Sequence, residues 1–302
     1  MTSLPFATYD VFTDTPYTGN PLAIVEEAGA LTTSQMQTIA REFNLSETIF
    51  VRPPDDPAHT ASVRIFFPTS EIPFAGHPTI GCAIHLATQQ HGDGDFETLI
   101  TLEEQAGLVP VRVVRQDGIV RAQFTAPQGP VPLGGDTSAE LIGPALGLSP
   151  NQIGYGDRHV PRVWKAGPDF LFVPLAGPHG LAAAKPTQPH WAELARNTNE
   201  SVFLYTPAGE RTFRTRMFAP DHGIPEDPAT GSASAILAAQ LLLGGDLDPD
   251  GETEFSLIQG VEMGRRSEIG LTVACDGGKI AAIRIAGTAV PVMSGQIAPP
   301  NV

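Results

Sequence analysis

A chain of 302 residues is long enough for full hydrophobic cores in one large or two ordinary domains. Its formal net charge of −15 argues against nucleic acid and anionic membranes as partners, since both demand a basic surface. Two cysteines, Cys82 and Cys275, and three lysines, Lys165, Lys185 and Lys279, leave little for a disulfide framework, a zinc cluster or Schiff-base chemistry.

The first residues lack a basic region followed by an apolar run, so no signal peptide is expected. In chain order, FATYDVF and NPLAIVE read as strands. LTTSQMQTIAREFN reads as a helix with Thr32 at the N-cap, Gln35 completing a capping box, and a staple from Leu31 to Met36. ETIFVRP and SVRIFFP are further strands, and a helix opens after His77 with Ile80, Ala83, Ile84 and Ala87 on one face and Cys82 and Leu86 beside them. TLITLEE, VPVRVVR and IVRAQFT follow as strands. The Pro-rich TAPQGPVPLGG, Thr125 to Gly135, has the composition of a linker and sets the expected boundary, giving halves 1–127 and 128–302. A second helix starts at Ser232 and stays apolar on every face until Gln240; this longest apolar stretch, SASAILAAQLLLGG, is too short to span a bilayer. AGTAVPVMSGQI reads as a last strand able to join either half. A cytoplasmic protein without membrane or nucleic-acid partners is expected.

Laid on itself so that Arg64 meets Arg216, the chain shows an internal match. VRIFFPTSEIPFAGHPTIGCAIHLA lies over TRMFAPDHGIPEDPATGSASAILAA with eight of 25 residues identical and no gap. The offset is half the chain, too long for a solenoid repeat. Many strands and one all-apolar helix per half imply an α+β fold: two related halves, each a curved, barrel-like, mostly antiparallel sheet around a central helix. Such halves are expected to face each other across a pseudo-twofold axis, with a ligand cleft between them.

Both central helices start in segments of small residues, FAGHP and EDPATGS. A helix start has free N–H groups and partial positive charge, and small residues let an anion approach, so each is a candidate carboxylate or phosphate cradle. Thr79, Thr230 and Ser232 can add hydroxyls. His77, Glu226 and Asp227 beside these starts, and Glu47 among Leu45, Ile49 and Phe50, are candidate proton-transfer groups. Each also has a purely structural reading: Glu47 as a solvated loop carboxylate, His77 as a turn residue capping its own helix, Asp227 as a complement to the helix dipole.

GNPLAIV, FNLSETIFV, RIFFPTSEIPFAGHPTIG, RMFAPDHGIPEDPATGSAS and QGVEMGRRSEI, in this order from Gly19 to Ile269, together resemble the PhzF family of phenazine-biosynthesis-type isomerases. The resemblance implies a diaminopimelate-epimerase-like fold and an isomerase that shuttles a proton on a small, cyclic carboxylic acid without cofactor or metal. It implies Glu47 as acid/base with His77 and Asp227 as its catalytic companions. Asn20, Gly76, Thr230, Gly231 and Ser232 would bind the substrate, and the assembly would be a homodimer. Two-cysteine racemases of this fold carry a thiol at each helix start; FAGHP and DPATG carry none, which disfavours that activity here. A metal-assisted hydrolase built on His77, Asp221, His222 and Asp227, and a carboxylate-binding protein without turnover, are the competing readings.

Overall fold

The computed structural model describes residues 3–301. The chain divides into two compact units; the first runs to Thr125 and resumes at Ala286, and the second is Ala126–Ile285. Both are α+β, and both repeat one order of elements.

In the first unit, β1 (Leu4–Val11) and β2 (Asn20–Val25) are antiparallel. Helix α1 (Thr33–Phe43) then carries the chain over to β3 (Glu47–Arg52), which runs parallel to β2. This crossover explains why β2 and β3 are apolar without alternation. Met36, Ile39 and Ala40 of α1 cover one face together with Val25, Phe50 and Phe66, and the central helix covers the other. The capping box of α1 is present as expected, Thr32 and Gln35 bonding each other's backbone N–H, and Leu31 packs on the cluster that includes Met36. β4 (Ala61–Phe66) returns antiparallel to β3, the two-residue β5 (Glu71–Ile72) folds back on it, and α2 (Gly76–His91) enters the interior. β6 (Phe96–Glu104), β7 (Gly107–Gln116) and β8 (Ile119–Thr125) complete the run; Ile100, Leu102, Val109, Val111, Val113, Ala122 and Phe124 alternate inward.

The second unit holds β9 (Val131–Leu133), α3 (Ala139–Ala145), β10 (Arg162–Lys165), β11 (Asp169–Pro174), α4 (Pro178–Ala183) and α5 (His190–Asn197). Then come β12 (Val202–Gly209), β13 (Thr212–Ala219), β14 (Ile224–Asp227), α6 (Gly231–Gly244), β15 (Glu252–Gln259) and β16 (Ser267–Asp276). β11 and β12 are parallel, as are β13 and β15, matching β2 with β3 and β4 with β6. The Pro-rich segment is not a plain linker: Val131 to Leu133 form β9, paired with β10. Helices α3, α4 and α5 left no strong signal because they are short and interrupted by Pro144 or opened by Pro178. Trp191 of α5 nonetheless anchors a core with Leu171, Val173, Val202, Leu204 and Phe218.

β17 (Lys279–Ile297) begins in the second unit and ends in the first, where it runs antiparallel to β1 from Ala289 opposite Val11 to Ile297 opposite Leu4. β8 also pairs with β17, so β1, β2, β3, β4, β6, β7, β8 and β17 close into a ring of eight strands around α2.

The internal match has a physical basis and needs one correction. Arg64 bonds Glu71 through two nitrogens at 2.7 and 2.6 Å and lies over the Phe66 ring at 5.2 Å. Arg216 does the same with Glu226, at 2.8 Å twice, and lies over Phe218 at 4.8 Å. Phe66 thus corresponds to Phe218, but Glu71 corresponds to Glu226, three residues further along than an ungapped overlay places it. From there on Gly76 matches Gly231 and Glu104 matches Gln259. The apolar identities inside the helices survived the wrong register because a shift of three residues keeps nearly the same helix face.

Gly81 sits where α2 presses on the sheet; a Cβ there would lie 2.6 Å from Leu22 Cδ2 and 2.8 Å from Val11 Cγ2, both fully buried. Gly81→Val is expected to lower stability by about 1–3 kcal/mol through overpacking, despite removing a helical glycine. Urea unfolding of variant and wild type checks this.

Candidate functional site

Parallel pairing puts the starts of β2 and β3 at one end of the first unit's sheet, and α2 begins there too. Asn20, the first residue of β2, is completely buried opposite Val11. Glu47 opens β3 beside Leu22 and is buried. His77, in the first turn of α2, brings Nδ1 to 3.5 Å from Glu47 Oε2. These three sequence candidates therefore gather with Gly76, also buried. The turn reading for His77 does not hold, since Ala75 is the N-cap and no side chain caps the helix.

Burial pushes the His77 pKa down to about 3, against a smaller opposing pull from the Pro21 carbonyl. The imidazole is thus neutral at physiological pH, and its Nε2 is buried without a hydrogen-bond partner. A neutral histidine against a carboxylate can orient that carboxylate or pass a proton, and the unmet ring nitrogen can bond a substrate atom.

The α6 start is organised differently. Asp227 ends β14 opposite Met217 and is buried. Thr230, the N-cap residue, does not cap; its hydroxyl donates to Asp227 Oδ2 at 2.5 Å. Gln259, fully buried at the end of β15, donates to the Asp227 carbonyl at 2.7 Å and to Thr230 Oγ1 at 2.9 Å, and accepts from Thr230 N at 3.2 Å. One amide thereby fixes the turn that carries Asp227, Thr230, Gly231 and Ser232. Gly260 follows in a left-handed conformation, φ 72°, where a Cβ would lie 2.7 Å from the Pro228 carbonyl. Gln259 was missed in the sequence although it had a signal. Thr253, Phe255, Leu257 and Gln259 form the inward-facing alternation of β15, and the amide is the longest polar side chain on that buried face.

Both central helices thus start in the interior without a side-chain cap from their N-cap residues, Gln259 meeting only the Thr230 N–H among the described residues, whereas α1, half exposed, has a complete capping box. Anion-accepting character is built in at both starts. Thr79 does not add a donor there, because its hydroxyl is engaged with the Ala75 carbonyl and Glu104.

The other candidates disperse. Asp221 accepts from Trp191 Nε1 at 2.9 Å, and His222 lies 3.4 Å from Glu200; both residues are exposed. Among the described residues no three His, Cys, Asp or Glu side chains gather as a metal-binding group. Cys82 lies inside α2 and Cys275 in β16, neither at a helix start. Nor is any described helix long and apolar enough to cross a membrane.

The His77 shift has a consequence for stability. Its folded pKa lies below the ordinary 6.5, so its contribution is present above pH 6.5 and is lost as pH falls toward 3. Relative to His77→Asn, the wild type is expected to lose up to about 1.4 kcal/mol per pH unit in that window, read from urea unfolding at a series of pH values.

The profile of the phenazine biosynthesis-like family PhzC-PhzF matches residues 9–295. An uncharacterized isomerase of Mesorhizobium japonicum is 42% identical over 306 residues, covering 98% of this chain and 99% of its own. The trans-2,3-dihydro-3-hydroxyanthranilate isomerase of Pseudomonas aeruginosa is 36% identical over 294 residues, 96% of this chain and 98% of its own. Among solved structures, the Bacillus anthracis phenazine biosynthesis protein of the PhzF family superposes with a TM-score of 0.84 at 26% identity, covering 99% of this chain and all of that one. With named isomerases matched from end to end and the fold shared, the chain belongs to the phenazine biosynthesis-like PhzC-PhzF family.

Proposed function

We propose that the protein is a cofactor-independent isomerase that moves a proton between positions of a small, cyclic carboxylic acid, with Glu47 as the group that takes and returns it. The observation that carries this reading is the buried contact of Glu47 with a neutral His77 whose Nε2 is unmet, beside an uncapped buried helix start. In this mechanism the Glu47 carboxylate removes a proton from a substrate carbon and, as the acid, delivers it to another carbon on the same face. His77 keeps Glu47 oriented and bonds a polar substrate atom through Nε2. Asp227, held by Thr230 and Gln259, is the second proton-handling or orienting group. Gly76 and Asn20 in the first unit, and Thr230, Gly231 and Ser232 in the second, are the proposed substrate-binding positions, with the backbone around Gly76 and at Gly231 and Ser232 receiving the carboxylate.

The substrate named for the Pseudomonas aeruginosa relative, trans-2,3-dihydro-3-hydroxyanthranilate, has the required chemistry: a ring, a carboxylate and a carbon acid. The family resemblance also supports a cytoplasmic homodimer as the working form. Sedimentation at micromolar concentration is expected to give a dimer, and a monomer alone counts against that assembly.

Proton NMR of the protein with trans-2,3-dihydro-3-hydroxyanthranilate in D₂O tests the chemistry. Wild type is expected to consume the compound with deuterium entering the product, while Glu47→Gln keeps its fold and loses turnover by about 10²–10⁴. Activity of Glu47→Gln within a few fold of wild type would remove Glu47 from the role. A ligand that raises the melting temperature yet is never converted would favour a binding protein instead.

A further inference from the structure

We propose that Glu104 is a positioning residue for the α2 start and serves there as the uncharged acid, donating its proton to Thr79 Oγ1. Thr79 Oγ1 lies 2.7 Å from the Ala75 carbonyl and 2.7 Å from Glu104 Oε1. A hydroxyl has one proton, and a carbonyl accepts only. If Thr79 donates to Ala75, the second contact requires a proton from Glu104; if it donates to a carboxylate, two lone-pair oxygens are left facing each other at 2.7 Å. The first arrangement satisfies both contacts.

Two further observations agree. Glu104 Oε2 is buried with no hydrogen-bond partner, tolerable for the carbonyl of an acid and costly for a carboxylate. In the duplicated unit, the equivalent position is Gln259, the neutral isostere of a protonated glutamate. The strand register establishes the equivalence, because Leu102 pairs with Ala61 of β4 as Leu257 pairs with Phe213 of β13, two residues before each.

Burial pushes the Glu104 pKa up to about 8, against a smaller opposing pull from its contact with Thr79, and no cation among the described residues offsets it. From α2 the ionisable neighbour is Cys82, whose thiol burial holds neutral. The residues paired at this end of its strand are Ser62 of β4 and Gly107 of β7, both uncharged. Glu103 points to the other face, toward His59. An uncharged Glu104 braces the Ala75–Thr79 turn without placing a negative charge beneath the N–H groups of α2. The second half of that statement rests on the proposed carboxylate site; the protonation itself does not.

The decisive experiment is carbon-13 NMR of the full chain labelled at the glutamate carboxyl carbon. The Glu104 signal, identified by its absence in Glu104→Gln, is expected to titrate near pH 8; a midpoint below 6 overturns the proposal. Thr79→Val gives the direction of the hydrogen bond and a second assignment should Glu104→Gln fail to fold. Loss of an acceptor lowers the Glu104 midpoint, whereas a raised midpoint shows Thr79 donating to a carboxylate and overturns it. Because the folded pKa lies above the unfolded one, wild type is expected to lose melting temperature relative to Glu104→Gln as pH rises from about 4.5 to 8, and a constant difference counts against the proposal. With trans-2,3-dihydro-3-hydroxyanthranilate, the wild-type KM is expected to rise at least threefold above pH 8 with kcat within twofold, and that rise is absent in Glu104→Gln. A rise that persists in the variant overturns the positioning role. If the compound is not turned over at all, the proposed function falls while the NMR and melting results still decide Glu104.

Discussion

A helix buried on nearly every face concentrates its unmet backbone polar groups at its ends. α2 and α6 are buried along most of their length, and each begins inside its own unit with no side-chain cap from its N-cap residue. Those donors are stabilised only if something negative meets them, so the interior start that burial forces is also the point of greatest anion affinity. Sheet topology then decides which side chains stand nearby. Because β2 and β3 are parallel, their first residues arrive at the same end of the sheet, and Asn20 and Glu47 reach the His77 turn without any loop having to hold them. Rigid elements, rather than mobile connections, set the geometry.

Duplication supplied two copies of this arrangement, and the copies have diverged in a graded way. Parts that hold the scaffold are kept: the Arg–Glu clasp over a phenylalanine, the paired parallel strands, the glycine that opens the helix. Parts that face the helix start differ. Ile72 stands where the other unit has Asp227, His77 where it has Ser232, and Glu104 where it has Gln259. A neutral histidine with a carboxylate in one half, and a carboxylate tied to a threonine and an amide in the other, are different chemical instruments on one frame.

How much of this was legible in the residues depended on whether local pattern or distant pairing decided the outcome. The seven strands read in the first half, the capped α1 and the two all-apolar helices follow from period and composition, and they are found. The candidates Glu47, His77, Gly76 and Asn20 come together because of a parallel pairing that no local pattern encodes. Short helices such as α3, with Pro144 inside it, are stabilised by tertiary burial around Trp191 and carry weak propensity of their own. Gln259 and Glu104 were readable in principle, as long polar side chains on the inward period of β15 and β6, but only after the strands' inner faces were known. The three-residue change between Phe218 and Glu226 escaped an ungapped comparison for the same reason: helical periodicity forgives a slip of three.

The path of β17 carries a consequence for how the chain is made. β1 precedes the second unit in the chain, yet one of its two edges is covered by residues 289–297, which follow that unit in sequence. At about 5–20 residues per second of synthesis, the first ring stays open for roughly 10 to 30 seconds while the second unit is being translated. During that interval an unpaired strand edge is exposed to solvent and to other nascent chains. Closure of the first unit's ring therefore follows synthesis of the second unit.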